Sequence, residues 1–461
     1  MKHLAITEHT RIERCAATEQ LQQTDRIFLN DYLYDRLRSF ERRQQNWNQV
    51  FEWSDGFVRA TQWVGVVQVP GLQVEILPKI DVLAAESHSK SEQARYETRR
   101  NLLYMLAVSG DLPVRSRDIA RLAIRQAPLS ETLAAVFANR LRQELLLGTE
   151  RGYIEQQENL RQFKGKLMVA PQALYNSAHR ERFYCKYEEF SNDTLMNQVF
   201  RSACRILLEI TRTPATQDIL RQCLLLLDDV SDVEIQDSDF GRIAINRQNE
   251  RFEDILRFCR LILSGRTPTI QAGSTHTFSL LFDMNKVFER FIAAFLRRYV
   301  APRLAGVQVF PQAAHHKRHL MESDGIGILR LEPDLLIESN SSRLVMDTKW
   351  KLLAPGKRGR SGVADADLYQ LYAYTRRYGC NHSVLLYPHM PGLEPRDFNV
   401  LDATGTFSGE CVAIRQVNLH RNLHQENERQ ALADELEAIV REGLRLKQQM
   451  DSSNLSVGSA V

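Results

Sequence analysis

The feature that most constrains this sequence is the stretch PDLLIESNSSRLVMDTKWK at residues 333–351. Two apolar segments flank the polar cluster Ser-Asn-Ser-Ser, a pattern typical of two strands joined by a turn. If residues 339–342 form the turn, Glu338 faces Arg343 and Leu336 faces Val345. The stretch therefore predicts an antiparallel β-hairpin with a defined register.

This register places charged residues together. Asp334 lies opposite Asp347, and opposed residues share one face of a sheet with Cβ atoms ~4.5–5.5 Å apart. Lys349 points to the same face because it lies two residues beyond Asp347. The hairpin thus gathers two carboxylates and one ammonium group, and the opposite face is left for a core of Leu335, Leu344, Met346 and Trp350.

The composition argues against several classes of protein. The chain has 461 residues, 43% of them hydrophobic, which suits two or three domains. Its 60 basic and 57 acidic residues give a net charge of +3, which does not by itself mark a nucleic-acid-binding protein. The seven cysteines form no CxxC pair, which argues against a disulfide framework or a zinc cluster. No signal-peptide pattern and no apolar run of ~18 residues is present, so we expect a soluble cytoplasmic protein.

The residue pattern along the chain predicts an α/β protein with several domains. Residues 1–150 are predicted to be β-rich and then helical, because FVRATQWVGVVQVPGLQVEILPKI alternates with the period of a strand. Residues 151–270 are predicted to be mainly helical. Residues 271–425 follow the order helix, strands, helix, strand, which predicts a domain with a central mixed sheet. Residues 426–461 are predicted to form an amphipathic helix and a flexible tail.

The charged face of the hairpin indicates a specific chemistry. Two close carboxylates repel each other and favour a bound cation, and oxygen ligands of this kind suit Mg²⁺. A neighbouring lysine can help to activate water or neutralise charge on a phosphate. A lone Asp-x-Lys is usually a surface ion pair, so the hypothesis depends on the opposed Asp334 as well as on Asp347 and Lys349. Together these residues suit phosphodiester hydrolysis.

Two further segments fit such a site, although each has a simpler explanation. Glu289 lies on a predicted amphipathic helix and is either a solvated edge residue or a third carboxylate near the metal. Gln370 and Tyr374 stand at positions i and i+4 of a later helix, so they share one face. They are either surface residues or hydrogen-bond partners of a phosphate or of Lys349.

These segments resemble a known nuclease family. Pro333-Asp334 followed by Asp347-Thr348-Lys349 matches the signature of the PD-(D/E)xK nucleases, and QLYAY at 370–374 resembles the QxxxY element of their RecB-like branch. The segments are similar, in order, to the McrC nuclease subunits of McrBC modification-dependent restriction systems: GVVQVPGLQVEILPKI, YEEFSNDTLMNQ, LLFDMNKVFERF, PDLLI, MDTKWK and DLYQLYAY. The resemblance implies a restriction-endonuclease-like fold for the C-terminal region.

The resemblance also implies roles for individual residues. The catalytic set that it implies is Asp334, Asp347, Lys349, Glu289 and Gln370. The metal would be Mg²⁺, and its ligands would be Asp334, Asp347, Glu289 and the main-chain carbonyl of Thr348.

The resemblance further implies a partner. The partner would be a GTP-dependent AAA+ hexamer of the McrB kind, which recognises 5-methylcytosine in double-stranded DNA. The chain would dock on this ring through its N-terminal region, stimulate GTP hydrolysis and cut the DNA. It contains no GxxxxGK[ST] P-loop of its own, as such a division of labour requires.

Four residues are predicted to contact DNA. Lys357 and Arg358 lie in a basic loop directly after the hairpin, where both a contact with backbone phosphates and a simple solvated loop are reasonable. Lys351 and Tyr374 lie beside the predicted catalytic residues. The segment HHKRH at 315–319 has no acid or cysteine at ligand spacing, so we expect no zinc site there.

Two other functions are open at the level of sequence. A regulatory adaptor would keep a nuclease fold but only activate an AAA+ partner, and the intact set of Asp334, Asp347 and Lys349 argues against it. A stand-alone repair nuclease would cut DNA with Mg²⁺ and without nucleotide.

Overall fold

A computed structural model describes residues 1–445 except 16–21, 24–25, 44–48, 81–91, 115–126, 268–276, 341, 354–361 and 391–393. Within these residues the chain is a mixed α/β protein with five sheets and eleven α-helices. In the same part of the chain, no helix combines the length and the apolar character that crossing a bilayer requires.

Strands dominate the start of the chain, as predicted. They are β1 (Lys2–Thr7), β2 (Arg11–Cys15), β3 (Gln22–Gln23), β4 (Arg26–Asn30), β5 (Phe51–Ser54), β6 (Phe57–Ala60), β7 (Trp63–Val69) and β8 (Leu72–Leu77), with helix α1 (Asp31–Arg43) between β4 and β5. Strands β2 to β6 form one sheet in the order β3-β4-β2-β6-β5. Strands β7 and β8 form a hairpin around the predicted Pro70-Gly71 turn, and β1 pairs with β8 in parallel.

The segment after residue 150 differs from its prediction. Helices α2 (Glu92–Ser109) and α3 (Leu129–Leu146) lead into a small sheet of β9 (Gly152–Leu160), β10 (Lys166–Leu167) and β11 (Phe183–Ser191), with helix α4 (Val169–Tyr175) before β11. Its strand order is β10-β11-β9. The sequence predicts mainly helix here. That prediction is wrong for this sheet because none of the 9 residues of β9 is buried. Without a buried face, the strand has no apolar alternation to detect.

The rest of the middle region is helical, as predicted. Its helices are α5 (Leu195–Ile210), α6 (Pro214–Leu226), α7 (Asp237–Phe240) and α8 (Glu253–Ser264). Helix α5 begins after Thr194, whose side chain accepts a hydrogen bond from the backbone of Asn197 and so caps the first turn. Proline occupies the first turn of α6, where no N–H is needed.

Two strands then return to the N-terminal sheet. Strands β12 (Arg266–Thr267) and β13 (Thr277–Asp283) complete the order β1-β8-β7-β13-β12. Strand β13 approaches β7 so closely that a Cβ on Gly65 would lie 2.0 Å from the carbonyl oxygen of Leu280, and Gly65 has φ +131°. Only glycine fits there. The predicted boundary at residue 271 therefore separates two strands, β12 and β13, that pair in one sheet.

The C-terminal region contains the predicted mixed sheet. Its strands are β14 (Gln308–Pro311), β17 (Leu335–Glu338), β18 (Arg343–Thr348), β19 (His382–Pro388), β20 (Arg396–Leu401) and β21 (Phe407–Val417), with β15 (Arg318–Ser323) and β16 (Ile326–Leu331) forming a separate hairpin. The sheet order is β14-β17-β18-β19-β21-β20. Strands β18, β19 and β21 run parallel, and the other pairs run antiparallel.

Helices cover both faces of this sheet. They are α9 (Met284–Phe295), α10 (Asp365–Tyr378) and α11 (Glu426–Gly443). One face of the sheet, with Leu335, Leu344 and Met346, packs into the cluster that contains α9 and α11. The other face, with Leu336 and Val345, packs against α10. Both faces of the hairpin are therefore buried, and its charged residues lie at one end of the strands.

Candidate active site

The hairpin of β17 and β18 has the predicted register. Glu338 pairs with Arg343, and Leu336 pairs with Val345. The four residues predicted to face the core are all buried: Leu335, Leu344, Met346 and Trp350. The turn chemistry and the apolar alternation were sufficient to fix this pairing.

Asp334 differs from its prediction. Strand β17 begins at Leu335, so Asp334 is not a ladder partner of Asp347. Its Oδ2 instead accepts hydrogen bonds from the backbone N–H and the hydroxyl of Thr348, each at 2.7 Å. The physical reason is Pro333, which would face Thr348 in a continued ladder but has no N–H to donate. The aspartate carboxylate thus closes the open end of the hairpin.

Asp347 is a buried carboxylate paired with Lys349. It is 2% exposed, and its Oδ2 lies 2.7 Å from the Lys349 Nζ. This contact is a close ion pair, in which the ammonium group of Lys349 faces the carboxylate of Asp347. Burial, followed by repulsion from Asp334, raises the pKa of Asp347 to about 6. The Asp347 carboxylate is therefore desolvated, and a cation already lies against it.

The acidic residues form an interacting set. Burial and then the charge of Glu289 raise the pKa of Asp334 to about 6. Burial is also the main reason why the pKa of Glu289 is raised, and the charge of Asp347 adds to it. Glu289 lies on α9, and its Oε1 accepts a hydrogen bond from Gln312 Nε2 at 3.1 Å. The predicted third carboxylate thus lies within electrostatic reach of the two aspartates.

Helix α10 holds Lys349 from the other side. The Lys349 Nζ donates to Gln370 Oε1 at 3.2 Å, and Gln370 Nε2 donates to the Tyr374 hydroxyl at 2.9 Å. Burial acts to lower the pKa of Lys349, but attraction to Asp347 and to other carboxylates outweighs it and raises the pKa. Tyr374 is buried and its hydroxyl donates to the Glu332 carbonyl. The structure therefore places Tyr374 as a support for Gln370 rather than on a surface that faces DNA.

Two residues of the site were not singled out from the sequence. Gln312 links Glu289 to Asp334, because its backbone N–H donates to the Asp334 carbonyl at 2.7 Å. Asp367 on α10 accepts from Lys351 Nζ at 2.9 and 3.3 Å and lies 3.9 Å from Lys349 Nζ. Asp367 could have been found from its position three residues before Gln370 on the same helix face. No comparable signal marks Gln312.

The donor atoms of the site fit a hard divalent cation. Among the described residues, no three His, Cys, Asp or Glu side chains converge closely enough to hold a metal by themselves. The oxygen donors are instead Asp334, Asp347 and the Thr348 carbonyl, which cannot pair with Pro333. Such a set suits Mg²⁺, which takes one or two carboxylates and keeps several waters. Glu289 adds charge beside these donors.

The predicted DNA contacts are only partly described. Lys351 has an exposed side chain at the edge of the site, where Asp367 holds its ammonium group. Lys357 and Arg358 lie outside the described residues.

The comparison with protein families identifies the chain's relatives. The sequence profile of the McrBC 5-methylcytosine restriction system component family matches residues 58–388. The chain belongs to this family. The match to the McrBC family includes β7, β8, helix α9, the hairpin and helix α10, so it contains every candidate site residue.

Individual relatives agree with this assignment. The chain is 20% identical over 341 residues to the type IV methyl-directed restriction enzyme EcoKMcrBC of Escherichia coli (strain K12), covering 71% of this chain and 95% of the relative. Its fold is similar to that of a chain in the refined half-complex from the tetradecameric assembly of Thermococcus gammatolerans McrB AAA+ hexamers with bound McrC. That match has a TM-score of 0.67 and 19% identity over 95% of this chain and 100% of the other. At this identity, the similarity establishes the fold alone.

Proposed function

We propose that the chain is the DNA endonuclease subunit of an McrBC-like, modification-dependent restriction complex. It hydrolyses phosphodiester bonds with Mg²⁺ when a GTP-driven AAA+ partner of the McrB kind activates it, and it stimulates the GTPase of that partner. The observation that carries the proposal is the convergence of Asp334, Asp347 and Lys349 at the end of β18, in a member of a restriction family. This is the residue set of a PD-(D/E)xK nuclease.

Each residue of the set has a distinct task. Asp334, Asp347 and the Thr348 carbonyl would hold Mg²⁺, which supplies Lewis-acid activation of the scissile phosphate when bound. Since the pKa of each aspartate is raised only to about 6, both are ionised in a mildly alkaline solution. Lys349 carries a positive charge at the same place, and it neutralises the charge that develops on the phosphate.

The supporting residues keep this lysine in place. Gln370 accepts one hydrogen bond from Lys349, and the Tyr374 hydroxyl fixes the Gln370 amide in turn. A lysine has a flexible four-carbon stem, so its ammonium group needs such partners to keep one position. Lys351, together with the predicted contacts Lys357 and Arg358, would meet the phosphates of double-stranded DNA beside the site.

The surface for the AAA+ partner is proposed on the small sheet of β9, β10 and β11. Apolar side chains in the first 150 residues mostly lie in two buried clusters. The small sheet and its helix instead expose six large apolar side chains: Tyr153, Phe163, Val169, Leu174, Tyr175 and Phe190. Exposed apolar side chains gathered in this way mark an interaction surface. Their position shifts the proposed docking site beyond the N-terminal region that the sequence favoured.

The decisive experiment is cleavage of methylated plasmid DNA with Mg²⁺, with and without an McrB-like partner and GTP. We expect the unaltered chain to cut only with partner and GTP, and Asp347→Ala or Lys349→Ala to lose cleavage while still stimulating the partner GTPase. Asp397→Ala is a matched control, because Asp397 is ion-paired with Arg415 at the far edge of the same sheet.

Each alternative has its own outcome in this experiment. Stimulation of GTP hydrolysis without any cleavage would identify an adaptor. Cleavage with Mg²⁺ alone would identify a stand-alone nuclease.

A further inference from the structure

Two buried ionisable residues, Glu8 and Lys79, connect the N-terminal sheet to the hairpin of β17 and β18. Glu8 follows β1 and Lys79 follows β8, and these strands are parallel neighbours. Glu8 is 3% exposed and Lys79 is 6% exposed. The Lys79 backbone N–H donates to Glu8 Oε2 at 3.0 Å, so the two strand ends are tied together.

Both residues contact Trp350, which directly follows Lys349. The indole N–H of Trp350 donates to the two carboxylate oxygens of Glu8, at 3.1 and 2.9 Å. The Lys79 Nζ donates to the Trp350 carbonyl at 3.0 Å. Residues that follow strands of the N-terminal sheet therefore hydrogen-bond to both the side chain and the backbone of Trp350.

This arrangement also reaches Lys349 itself. The Lys349 N–H donates to the Leu386 carbonyl of β19 at 2.9 Å, and its carbonyl accepts from the Lys351 N–H at 2.9 Å. The ring of Trp350 packs on Phe288, which precedes Glu289, with ring centroids 5.3 Å apart. The backbone at Lys349 is thus fixed by β19 on one side and by the N-terminal sheet on the other.

Stability alone does not explain why ionisable residues occupy this position. Glutamate and lysine are almost never fully buried unless they are paired, because each loses its hydration. Apolar side chains of similar size would avoid this loss of hydration. What Glu8 and Lys79 provide, and apolar residues do not, is a set of directional bonds to Trp350.

We propose that Glu8 and Lys79 are positioning residues of the nuclease site, which fix Trp350 and through it the orientation of Lys349. The inference rests on the proposed nuclease function and extends it, since the N-terminal sheet then forms part of the support of the catalytic centre. A shift of about 1 Å in a catalytic group lowers a rate ~100-fold. Loss of these contacts should therefore change the cleavage rate by a measurable amount.

The test uses the full-length chain with partner, GTP, Mg²⁺ and methylated DNA. Lys79→Met keeps the length of the side chain but removes the donor to Trp350. Glu8→Gln replaces one of the two accepting oxygens with an NH2 group, which cannot accept from the Trp350 indole or from the Lys79 N–H. We expect each variant to lower kcat by about 10- to 100-fold. We expect KM for DNA and the stimulation of the partner GTPase to stay within about twofold, because substrate and partner binding are unaffected.

Glu75→Gln is the matched control. Glu75 is a fully buried carboxylate on β8 in the same sheet, but it accepts from Arg99, at 2.7 Å to each oxygen, and from the Leu129 N–H rather than from Trp350. It should keep the kcat of the unaltered protein even where its melting temperature falls. A double-mutant cycle adds a second readout: in a Trp350→Phe background, Glu8→Gln should cause little further loss, because Glu8 acts through the indole N–H.

The possible outcomes separate the two hypotheses. Unchanged kcat in Lys79→Met and Glu8→Gln would overturn the positioning role, and so would an equal loss of kcat in Glu75→Gln. Full additivity in the double-mutant cycle would also overturn it. If the unaltered chain cuts no DNA under any of these conditions, the proposed nuclease function fails, and this inference fails with it.

Discussion

The Asp334 carboxylate accepts both the backbone N–H and the hydroxyl of Thr348, each at 2.7 Å. Both donors belong to Thr348, and they fix the orientation of the Asp334 carboxylate at the end of the strand. The Thr348 carbonyl gains no partner from them, because the facing Pro333 has no N–H to donate. These two residues therefore act as one unit at the end of the hairpin, since each would supply one oxygen to Mg²⁺.

Removing the threonine hydroxyl should weaken metal binding. Thr348→Val keeps the shape of the side chain and the backbone donor but deletes one of the two bonds that orient Asp334. Outer partners of metal ligands typically contribute 10- to 100-fold to affinity, so we expect the Mg²⁺ concentration for half-maximal cleavage to rise by about 10-fold. Thr375→Val is the control, because Thr375 is a buried threonine on α10 whose hydroxyl bonds to Leu371. An equal effect in both variants would contradict an orienting role for Thr348.

The two aspartates should make the metal-free protein less stable as the pH rises. Their pKa values are raised to about 6, whereas an unfolded aspartate titrates at about 3.9. The folded chain therefore binds more protons than the unfolded chain between about pH 4 and pH 6, and the free energy of unfolding falls through that window.

Asp347→Asn should remove part of this loss. We expect the free energy of unfolding at pH 8, in the presence of a chelator, to rise by roughly 1–3 kcal/mol relative to the unaltered chain, with little difference at pH 4. Urea titrations at both pH values measure it. Adding Mg²⁺ at pH 8 should stabilise the unaltered chain but not the variant. A variant that is less stable at pH 8 without metal would show that the buried charge of Asp347 does not destabilise the folded state.

Asp367 should control how strongly Lys351 acts on DNA. Its carboxylate holds the Lys351 ammonium at 2.9 Å. Asp367→Asn should free this cation and make DNA binding tighter at low salt, and Lys351→Ala should weaken binding. Each phosphate contact contributes about 0.9 to the slope of log affinity against log salt, so the two variants should move the slope in opposite directions. An unchanged slope in both would show that Lys351 meets no phosphate.

The small sheet should carry the contact with the AAA+ partner. Tyr153 and Phe190 are exposed and pack on each other, with ring centroids 5.3 Å apart. Replacing both with serine should abolish stimulation of the partner GTPase without lowering the melting temperature, because neither side chain is buried. Phe407→Ser is the control, since Phe407 is about as exposed as Phe190 but lies on β21 of the C-terminal sheet. Full stimulation by the double variant would move the docking site elsewhere.

The hairpin and its lysine could be predicted because their signals are local. Alternating apolar residues and a polar turn fix the register of β17 and β18, and Gln370 and Tyr374 share a face at helical spacing. The displacement of Asp334 from the ladder could also have been anticipated from Pro333, which lacks an N–H. The fold of the C-terminal sheet follows from such local patterns.

The contacts that were missed are distant in sequence or lack a buried face. Glu8 meets Trp350 across 342 residues, and no periodicity links them. Strand β9 has no buried residue, so its sequence resembles that of a polar loop or helix. Sequence periodicity predicts which side of one helix or strand is buried. It does not predict which distant helices and strands contact each other.

The return of β13 to the N-terminal sheet has a consequence for synthesis of the protein. Strand β7 stays an unpaired edge until residues 277–283 have left the ribosome, more than 200 residues after β7 itself. An exposed edge of this kind invites pairing with other chains, and contacts so distant in sequence form slowly. The nascent N-terminal half therefore has to remain bound to a chaperone or incompletely folded until β13 is made. A fragment that stops before β13 should aggregate rather than fold.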